Sequence, residues 1–353
     1  MADTPNVPDG LSAKLAIEKG TRAKWLRRLG GKSKGFRYLD QNDKSISDQA
    51  TLERIASLVI PPAWKYVRIA PSTRSRIQAV GMDTSGRVQY LYNSKFAEKK
   101  QREKFKRLLS FGEYLPQLRE ATNTDISLDG LPKQKVLAAM LRLINSLYFR
   151  VGSERSAKQF RTYGITTLQN KHLSVKRKGL LEFDFTGKSY VRHRKILVDS
   201  ELADIMKELQ NTGPKRKLFC FIDDEGKIKP VKPSDINAYL KAATGDSFSS
   251  KDFRTWGATL LASIRLAEIG AVDDEKEKAR NVVKAIRSVS EELGNTPSVC
   301  RSSYIHPTII SAYERGITID QFRPRKARTI KRIQAEFEVE EAALLKLLRS
   351  EGN

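Results

Sequence analysis

The sequence has few of the residues on which disulfide-bonded, metal-dependent and membrane-embedded proteins depend. It contains two cysteines and three histidines in 353 residues, without the paired spacing of a metal site. No apolar run approaches the roughly 18 residues that cross a bilayer, and the start lacks the apolar core of a signal peptide. A glycine-rich phosphate loop of the nucleotide-hydrolase type is also missing. We therefore expect a cytoplasmic protein of a reducing compartment, with no metal, no cofactor and no membrane anchor.

Positive charge is what the chain has in excess. Lys and Arg number 65 against 41 Asp and Glu, which gives a formal net charge of +24. A surplus of this size indicates a polyanionic partner, and nucleic acid is the first candidate. The alternative at this point is a basic soluble protein without such a partner. The length is enough for about two domains with a substantial core.

The first part of the chain predicts a small antiparallel sheet. Residues 1–35 are polar and rich in Gly and Lys, and we interpret them as a loosely ordered arm with one possible helix near residues 11–18. From Trp64 onward the apolar pattern has period two, and Asp83-Thr84-Ser85-Gly86 is typical of a hairpin turn. Three strands are predicted, at residues 65–70, 76–81 and 87–92.

Basic, polar and aromatic side chains interleave on this small sheet. They are Arg76, Arg87, Gln89, Tyr90 and Tyr92. Gln and Arg can recognise base edges in a major groove, and Tyr can reach a base or a phosphate. An ordinary half-exposed sheet would show the same pattern, so both interpretations stay open here.

The second part of the chain has helical periodicity. An apolar stripe over residues 136–147 ends at Arg150, and Gly152 then breaks the helix. A hairpin is predicted over residues 180–196 with its turn at Thr186-Gly187, which puts Lys188 just past the turn. Further helices are predicted at residues 154–163, 199–209, 233–242, 251–269, 274–293 and 333–349.

These elements predict an α+β protein of two domains. Residues 1–120 form a small, mainly antiparallel β domain, and residues 121–353 form a mostly helical domain with one β-hairpin. A basic run at residues 323–332 carries six Lys or Arg and no acid, and we assign it no role.

The segment at residues 295–307 predicts a short helix that ends in a tyrosine. Asn295 or Thr296 can cap it, Pro297 is favoured in its first turn, and Pro307 limits it to about Ile305. Tyr304 therefore lies in its last turn. A tyrosine hydroxyl can be a covalent nucleophile, but with an ordinary pKa of about 10 it needs cations nearby. Taken alone, a ring packed in a core is the commoner explanation.

Seven separated motifs, in one order, resemble the type IB DNA topoisomerases of the compact bacterial and poxvirus kind. The resemblance covers residues 61 to 312 or so, and a set of ordered motifs is more specific than any single one. The motifs are Pro61-Pro62-Ala63-Trp64, Gly86-Arg87-Val88-Gln89-Tyr90-Leu91-Tyr92, Phe149-Arg150-Val151-Gly152, Tyr163-Gly164-Ile165-Thr166-Thr167-Leu168, Phe185-Thr186-Gly187-Lys188, Lys251-Asp252-Phe253-Arg254-Thr255-Trp256-Gly257 and Ser303-Tyr304-Ile305-His306-Pro307.

The resemblance implies a tyrosine recombinase/topoisomerase IB-like fold and a role for five residues. Tyr304 would be the nucleophile, Arg150 and Arg254 would clamp the scissile phosphate, and Lys188 would be the general acid. Asn295 stands where many members of the family have a histidine. An amide can donate a hydrogen bond to a phosphate oxygen but cannot carry a proton, so we expect Asn295 to act as an oxyanion ligand only.

The same resemblance implies the partner and the reaction. Double-stranded DNA would be contacted by Arg87, Gln89, Tyr90, Tyr92 and Tyr163, and the chain would act as a nucleoid-associated monomer that closes as a clamp. One strand would be cut through a covalent 3′-phosphotyrosine, supercoils of both signs would relax by strand rotation, and resealing would need neither ATP nor metal.

Two other classes of protein share part of this pattern. Tyrosine recombinases use the same fold and nucleophile, but they usually have His-x-x-Arg where this chain has Lys251-x-x-Arg254, and their N-terminal domain is typically helical. An architectural DNA-binding protein would explain the charge but not Tyr304 and its partners.

Each candidate also has an ordinary structural explanation when it is considered singly. Arg150 could cap a helix, Lys188 could be a solvated turn residue, and Arg254 could pair with Asp252. His306 is given no chemical role.

Overall fold

One long helix marks the point at which the chain passes from one packing unit to the next. The computed structural model describes residues 10–31, 33, 35–212, 217–245, 248–323 and 338–351. Its contacts divide the chain into an N-terminal unit, Met1–Glu103, and a C-terminal unit, Lys104–Asn353. The division lies inside the helix Ser94–Glu113 and precedes the predicted boundary at residue 120. It does so because Phe105, Leu108 and Phe111 are already buried in the core of the C-terminal unit.

The N-terminal unit is built on a five-stranded antiparallel sheet. The elements are α1 (Gly10–Ile17), β1 (Leu26–Gly31), β2 (Gly35–Leu39), α2 (Gln49–Ser57), β3 (Lys65–Ile69), β4 (Ile77–Met82) and β5 (Val88–Tyr92). The strand order of the sheet is β2-β1-β3-β4-β5. The three predicted strands are confirmed, but the predicted loose arm is wrong for the residues of β1.

A buried arginine explains why β1 is hard to recognise and why the Pro-Pro-Ala-Trp motif is held in place. Arg28 occupies an inward position of β1 and is 8% exposed. It donates to the carbonyls of Ile60 (3.2 Å), Pro61 (3.0 Å) and Trp64 (2.8 Å). A buried cation needs such partners, so Arg28 fixes the corner that carries the motif. Gly81 of β4 completes the fit, because a Cβ there would lie 2.9 Å from the Trp64 ring.

The C-terminal unit packs helices around one hydrophobic core, together with a three-stranded sheet and a two-stranded ribbon. The helices are α3 (Ser94–Glu113), α4 (Leu115–Ile126), α5 (Lys133–Leu147), α6 (Glu154–Phe160), α7 (Ser200–Thr212), α8 (Pro233–Thr244), α9 (Ser250–Ile269), α10 (Glu275–Leu293), α11 (Pro297–Ser303), α12 (Pro307–Glu314) and α13 (Val339–Ser350). The strands are β6 (Leu173–Val175), β7 (Leu180–Thr186), β8 (Arg192–Val198), β9 (Cys220–Ile222) and β10 (Ile228–Pro230). The sheet has the order β6-β7-β8, and the central helices α5 and α9 contribute long buried faces.

The turn between β7 and β8 is longer than predicted. Thr186 pairs with Arg192, so the turn runs over residues 187–191 and Lys188 lies inside it. The prediction of a two-residue turn at Thr186-Gly187 is therefore wrong. Ser189 and Tyr190 both have positive φ, 62° and 59°, and neither residue type indicates this conformation in a sequence.

Two other predicted helices differ in their bounds. The helix predicted over residues 154–163 ends at Phe160, because Arg161 takes a left-handed conformation at its C-terminus. The C-terminal helix is described from Val339. Residues 324–337, with all of the predicted basic run except Arg323, lie outside the described residues.

Candidate active site

Arg150 lies where two backbone segments cross at very short range. The segment after α5 bonds to the segment after α6, since the amide of Ile165 donates to the carbonyl of Arg150 over 2.8 Å. Gly152, with φ of +86°, and Gly164 form the crossing. A Cβ on Gly164 would lie 2.4 Å from the Gly152 amide nitrogen, and a Cβ on Gly152 would lie 2.8 Å from that of Gly164. Both motif glycines are thus needed to let the backbone carry Arg150 to its position.

Arg254 lies in the first turns of α9 and binds the ends of two other helices. Its guanidinium donates to the carbonyl of Tyr148, which follows α5, and over 2.8 Å to that of Leu293, the last residue of α10. It is 4% exposed, and burial lowers its pKa. Its Nε is buried without a hydrogen-bond partner among the described residues. Asp252 does not pair with it, because that carboxylate binds Arg107 at 2.8 Å.

Arg150 and Asn295 are in direct contact. The Arg150 guanidinium donates to Asn295 Oδ1 and, over 3.0 Å, to the carbonyl of Gly294. Burial, and secondly the charge of Arg254, lowers the pKa of Arg150 to about 10, so it remains a cation at neutral pH. Asn295 Nδ2 is buried and has no partner among the described residues. An unsatisfied buried donor is costly, and this one belongs to a side chain that Arg150 contacts, where an anionic oxygen would satisfy it.

Tyr304 follows the last helical residue of α11. Thr296 caps this helix by accepting from the Val299 amide over 3.3 Å. The helix ends at Ser303, two residues before the predicted Ile305, because the amides of Tyr304 and Ile305 both donate to the carbonyl of Cys300. The Tyr304 ring is half-buried, and its centroid is 5.3 Å from the guanidinium carbon of Arg254.

The backbone around Tyr304 is anchored to α9 and α3. The Thr259 hydroxyl lies 3.2 Å from the carbonyl of Tyr304 and accepts from the amide of His306 over 3.1 Å. Thr259 is fully buried on α9, the helix that also carries Arg254. From α3, Lys104 donates to the carbonyl of Ser303. The backbone of the nucleophile candidate is therefore bonded to the helix that carries one candidate phosphate ligand.

Lys188 lies on the exposed turn between β7 and β8, at the rim of a small cleft. Arg150, Arg254 and Tyr163 also line this cleft. Tyr163 is held to the hairpin, since its amide donates to the carbonyl of Thr186 over 2.8 Å. Among the described residues the lining of the cleft does not include Tyr304. The Tyr304 ring lies next to Arg254, which does line the cleft.

The candidate DNA contacts of the N-terminal unit lie together on and beside β5. Tyr90 and Tyr92 are 38% and 49% exposed and project from the same face, with ring centroids 6.3 Å apart. Gln89 and Arg87 both donate to Asp83 Oδ2, over 2.8 and 3.2 Å. The two polar side chains are therefore preorganised by one carboxylate of the hairpin turn.

The described residues offer little for metal or thiol chemistry. They contain no group of three His, Cys, Asp or Glu side chains that could hold a metal ion. Among them no helix is long and apolar enough to cross a membrane. Cys220 and Cys300 are both unpaired and buried, and burial raises the pKa of the Cys300 thiol to about 11.

Two residues that bond the backbone around Tyr304 were not identified from the sequence. Thr259 and Lys104 belong to none of the quoted motifs, and their contacts are to segments far away in the chain. A threonine on the apolar face of the helix predicted over residues 251–269, five residues after Arg254, is a weak indication of such a role for Thr259. No sequence pattern indicates a role for Lys104.

Comparison with known proteins places these residues in a family. A family model described as the eukaryotic DNA topoisomerase I catalytic core matches residues 93–332, and one described as the bacterial DNA topoisomerase IB N-terminal domain matches residues 35–83. DNA topoisomerase 1B of Acanthamoeba polyphaga mimivirus is 33% identical over 288 residues, 80% of this chain and 84% of that protein. DNA topoisomerase 1B of vaccinia virus (strain Copenhagen) is 20% identical over 239 residues, 67% and 72% of the two chains. DNA topoisomerase 1 of Mycosarcoma maydis is 24% identical over 195 residues, 50% of this chain but 19% of its own length.

A pH dependence of stability follows from three histidines, of which His172 is buried and His193 and His306 are half-buried. Burial lowers the pKa of His172, His193 and His306 to about 4 in the folded protein, below the ordinary 6.5 of an unfolded chain. The unfolded state therefore binds more protons as the pH falls from about 6.5 towards 4, and the free energy of unfolding decreases over that window.

His306→Asn tests this assignment. Asn can keep the capping contact in which the imidazole accepts from the Thr308 amide, but it removes one titrating group. We measure the free energy of unfolding in urea between pH 6.5 and 5. Its slope against pH should be smaller in the variant than in the wild type by up to about 1.4 kcal/mol per pH unit, which corresponds to one proton fewer taken up on unfolding. An unchanged slope would show that folding does not lower the pKa of His306.

Proposed function

The chain belongs to the type IB DNA topoisomerase family, and from that premise we propose that Tyr304 cuts one strand of duplex DNA and holds it as a 3′-phosphotyrosine. Rotation about the intact strand then relaxes supercoils of either sign, and the break is resealed without ATP or metal. One observation carries the proposal. The half-buried Arg150 contacts the Asn295 side chain, whose amide nitrogen lacks a partner among the described residues, and the buried Arg254 lies beside the Tyr304 ring.

The proposed reaction is an exchange of one phosphodiester for another. The phenolic oxygen of Tyr304 forms a bond to phosphorus, its proton passes to water, and the bond from phosphorus to the 5′-oxygen breaks. The 5′-oxygen takes a proton from Lys188 as it leaves. Religation is the reverse attack by the 5′-hydroxyl. Because the phosphotyrosine retains the energy of the original ester, no nucleotide is consumed.

The two arginines and Asn295 would stabilise the phosphorane-like transition state. Arg254 has a free buried Nε and Asn295 a free buried Nδ2 among the described residues, so donors are available without breaking a protein contact. Guanidinium groups give permanent charge with fixed, fork-shaped geometry. Donors that are fixed before charge develops are the usual source of large catalytic effects.

The remaining assignments concern DNA binding and the leaving group. Lys188 is exposed at the cleft that Arg150 and Arg254 line, which is compatible with a general acid that meets DNA. Tyr163 at this cleft, and Arg87, Gln89, Tyr90 and Tyr92 of the N-terminal unit, would contact the duplex. The net charge of +24 fits a monomer in which both units bind DNA.

The nucleophile is tested by Tyr304→Phe on plasmids of positive and negative supercoiling, with EDTA present and nucleotide absent. We expect the wild-type chain to relax both, and the variant to bind DNA but lose cleavage and covalent capture. Tyr114→Phe is the matched control, since that ring packs on Phe248 at 5.5 Å in the same unit.

Three outcomes would contradict the proposal. Cleavage by Tyr304→Phe would remove the nucleophile assignment. Strand exchange between specific sites without relaxation would favour a recombinase, and binding without either activity would favour an architectural protein.

The donor role of Asn295 is tested by Asn295→Asp. The new carboxylate can still accept from Arg150, but it replaces the free donor by a negative oxygen. We expect the rate of covalent capture to fall about 10²–10³-fold, as when an oxyanion donor is removed. Asn123→Asp is the control, because Asn123 likewise accepts from an arginine, Arg142, over 2.8 Å. Equal effects in both variants would exclude a specific role for the Asn295 amide.

The N-terminal sheet is tested by duplex binding over a range of salt concentrations. Tyr90→Ala and Tyr92→Ala should weaken binding while the cleavage rate at saturating DNA is retained. Arg87→Ala should also reduce the slope of log K against log salt by about 1. Lys44→Ala, an exposed cation of the same unit, should have a smaller effect. Unchanged affinity in the Tyr90, Tyr92 and Arg87 variants would show that this surface does not contact DNA.

A further inference from the structure

We propose that His193 is a positioning residue that holds the Lys188 turn against the loop carrying Asn295. The inference rests on the proposed function, because its effect is transmitted through the general acid. His193 belongs to none of the quoted motifs, and it lines the same cleft as Arg150, Lys188 and Arg254.

Two glycines, each directly before a candidate site residue, pack on this one imidazole. Gly187 precedes Lys188, and a Cβ there would lie 2.6 Å from the His193 ring. Gly294 precedes Asn295, and a Cβ there would lie 2.3 Å from the same ring. Real Cβ atoms do not approach so closely, so the ring occupies space that exists only because both residues lack a side chain. The imidazole is thus a spacer between two backbones.

The strand that carries His193 is fixed at two further points. His193 faces Phe185 across the hairpin with ring centroids 5.2 Å apart. Two residues along β8, Lys195 donates to the carbonyl of Glu292 over 2.7 Å and also binds its carboxylate. The His193 end of β8 is therefore docked on the C-terminus of α10, which leads directly into Gly294 and Asn295.

The two loops depend on His193 to different degrees. Asn295 has other anchors, because its amide donates to the carbonyl of Ser290 over 2.9 Å and its side chain accepts from Arg150. In the Lys188 turn, residues 188–190 are exposed, and Gly187 is the buried residue. Loss of the imidazole should therefore displace Lys188 more than Asn295.

The charge around His193 favours packing over proton transfer. Burial, followed by the charges of Arg150, Lys195 and Arg254, lowers the pKa of His193 to about 4, and Glu292 opposes this only in part. The ring is neutral near pH 7. His193 therefore acts by filling the space between Gly187 and Gly294, and not by transferring a proton.

The test compares His193→Ala and His193→Phe on two DNA substrates under single-turnover conditions. One substrate has the ordinary 5′-oxygen at the scissile bond, and the other has sulfur there. A thiolate leaves without a proton, because thiol pKa values are near 8.5 whereas that of water is 15.7. A variant whose defect lies only in proton donation by the general acid should therefore cleave the sulfur substrate at a rate close to that of the wild type.

We expect His193→Ala to cleave the oxygen substrate about 10–10²-fold more slowly, the cost of a small misplacement. It should cleave the sulfur substrate within about threefold of wild type. His193→Phe, which refills the space with a ring, should stay close to wild type on both substrates. Leu209→Ala, a fully buried core change on α7, controls for lost stability and should not discriminate between the substrates.

Lys188→Ala separates failure of the inference from failure of the proposed function. If Lys188→Ala is rescued by sulfur but His193→Ala is not, the positioning role of His193 is wrong and the general acid stands. If sulfur does not rescue Lys188→Ala, Lys188 is not the general acid, and the positioning role of His193 falls with that assignment. Equal losses in His193→Phe and His193→Ala would mean that a ring nitrogen acts chemically, which also overturns the inference.

Discussion

The arrangement of the candidate site depends on the bonds that the Arg254 guanidinium makes to two helix ends. The carbonyl of Tyr148 closes α5, and the carbonyl of Leu293 closes α10. Both are the negative ends of helix dipoles, which favour a cation. Arg150 lies two residues beyond the first carbonyl and Asn295 two residues beyond the second. One buried cation thus brings together two segments that are 144 residues apart at Arg150 and Gly294.

The same helix also fixes the tyrosine. Thr259 follows Arg254 on α9 and bonds on both sides of Ile305, so the position of Tyr304 is set by the element that positions the arginine. Arg254 is held by contacts to backbone carbonyls, and the Tyr304 segment by backbone contacts to Thr259. Among the described residues Arg254 Nε and Asn295 Nδ2 are buried without partners, so a ligand that reached them would not have to replace a protein contact. This is the condition for preorganised electrostatic catalysis.

The sequence pattern correctly predicted the elements that are determined by interactions between residues close together in the chain. The hairpin of β4 and β5, the helices α9 and α10 and the capped start of α11 all follow from turn residues, caps and apolar period. Strand β1 did not, because Arg28 occupies an inward position and finds its acceptors more than 30 residues away, at Pro61 and Trp64. The length of the Lys188 turn was missed because positive φ at two non-glycine residues has no signature in composition. Motif order identified candidates for the chemistry, whereas the supporting role of Thr259 depends on tertiary contacts that sequence order does not contain.

The burial of Cys300 has a consequence for how the protein tolerates oxidants. This residue lies one turn before Tyr304, and its carbonyl closes the helix that precedes the tyrosine. Its side chain is fully buried, and burial raises the pKa of its thiol to about 11. Oxidation and alkylation require an accessible thiolate. The Cys300 sulfur is therefore kept in its least reactive form, and the helix end that precedes Tyr304 is protected from modification at this thiol.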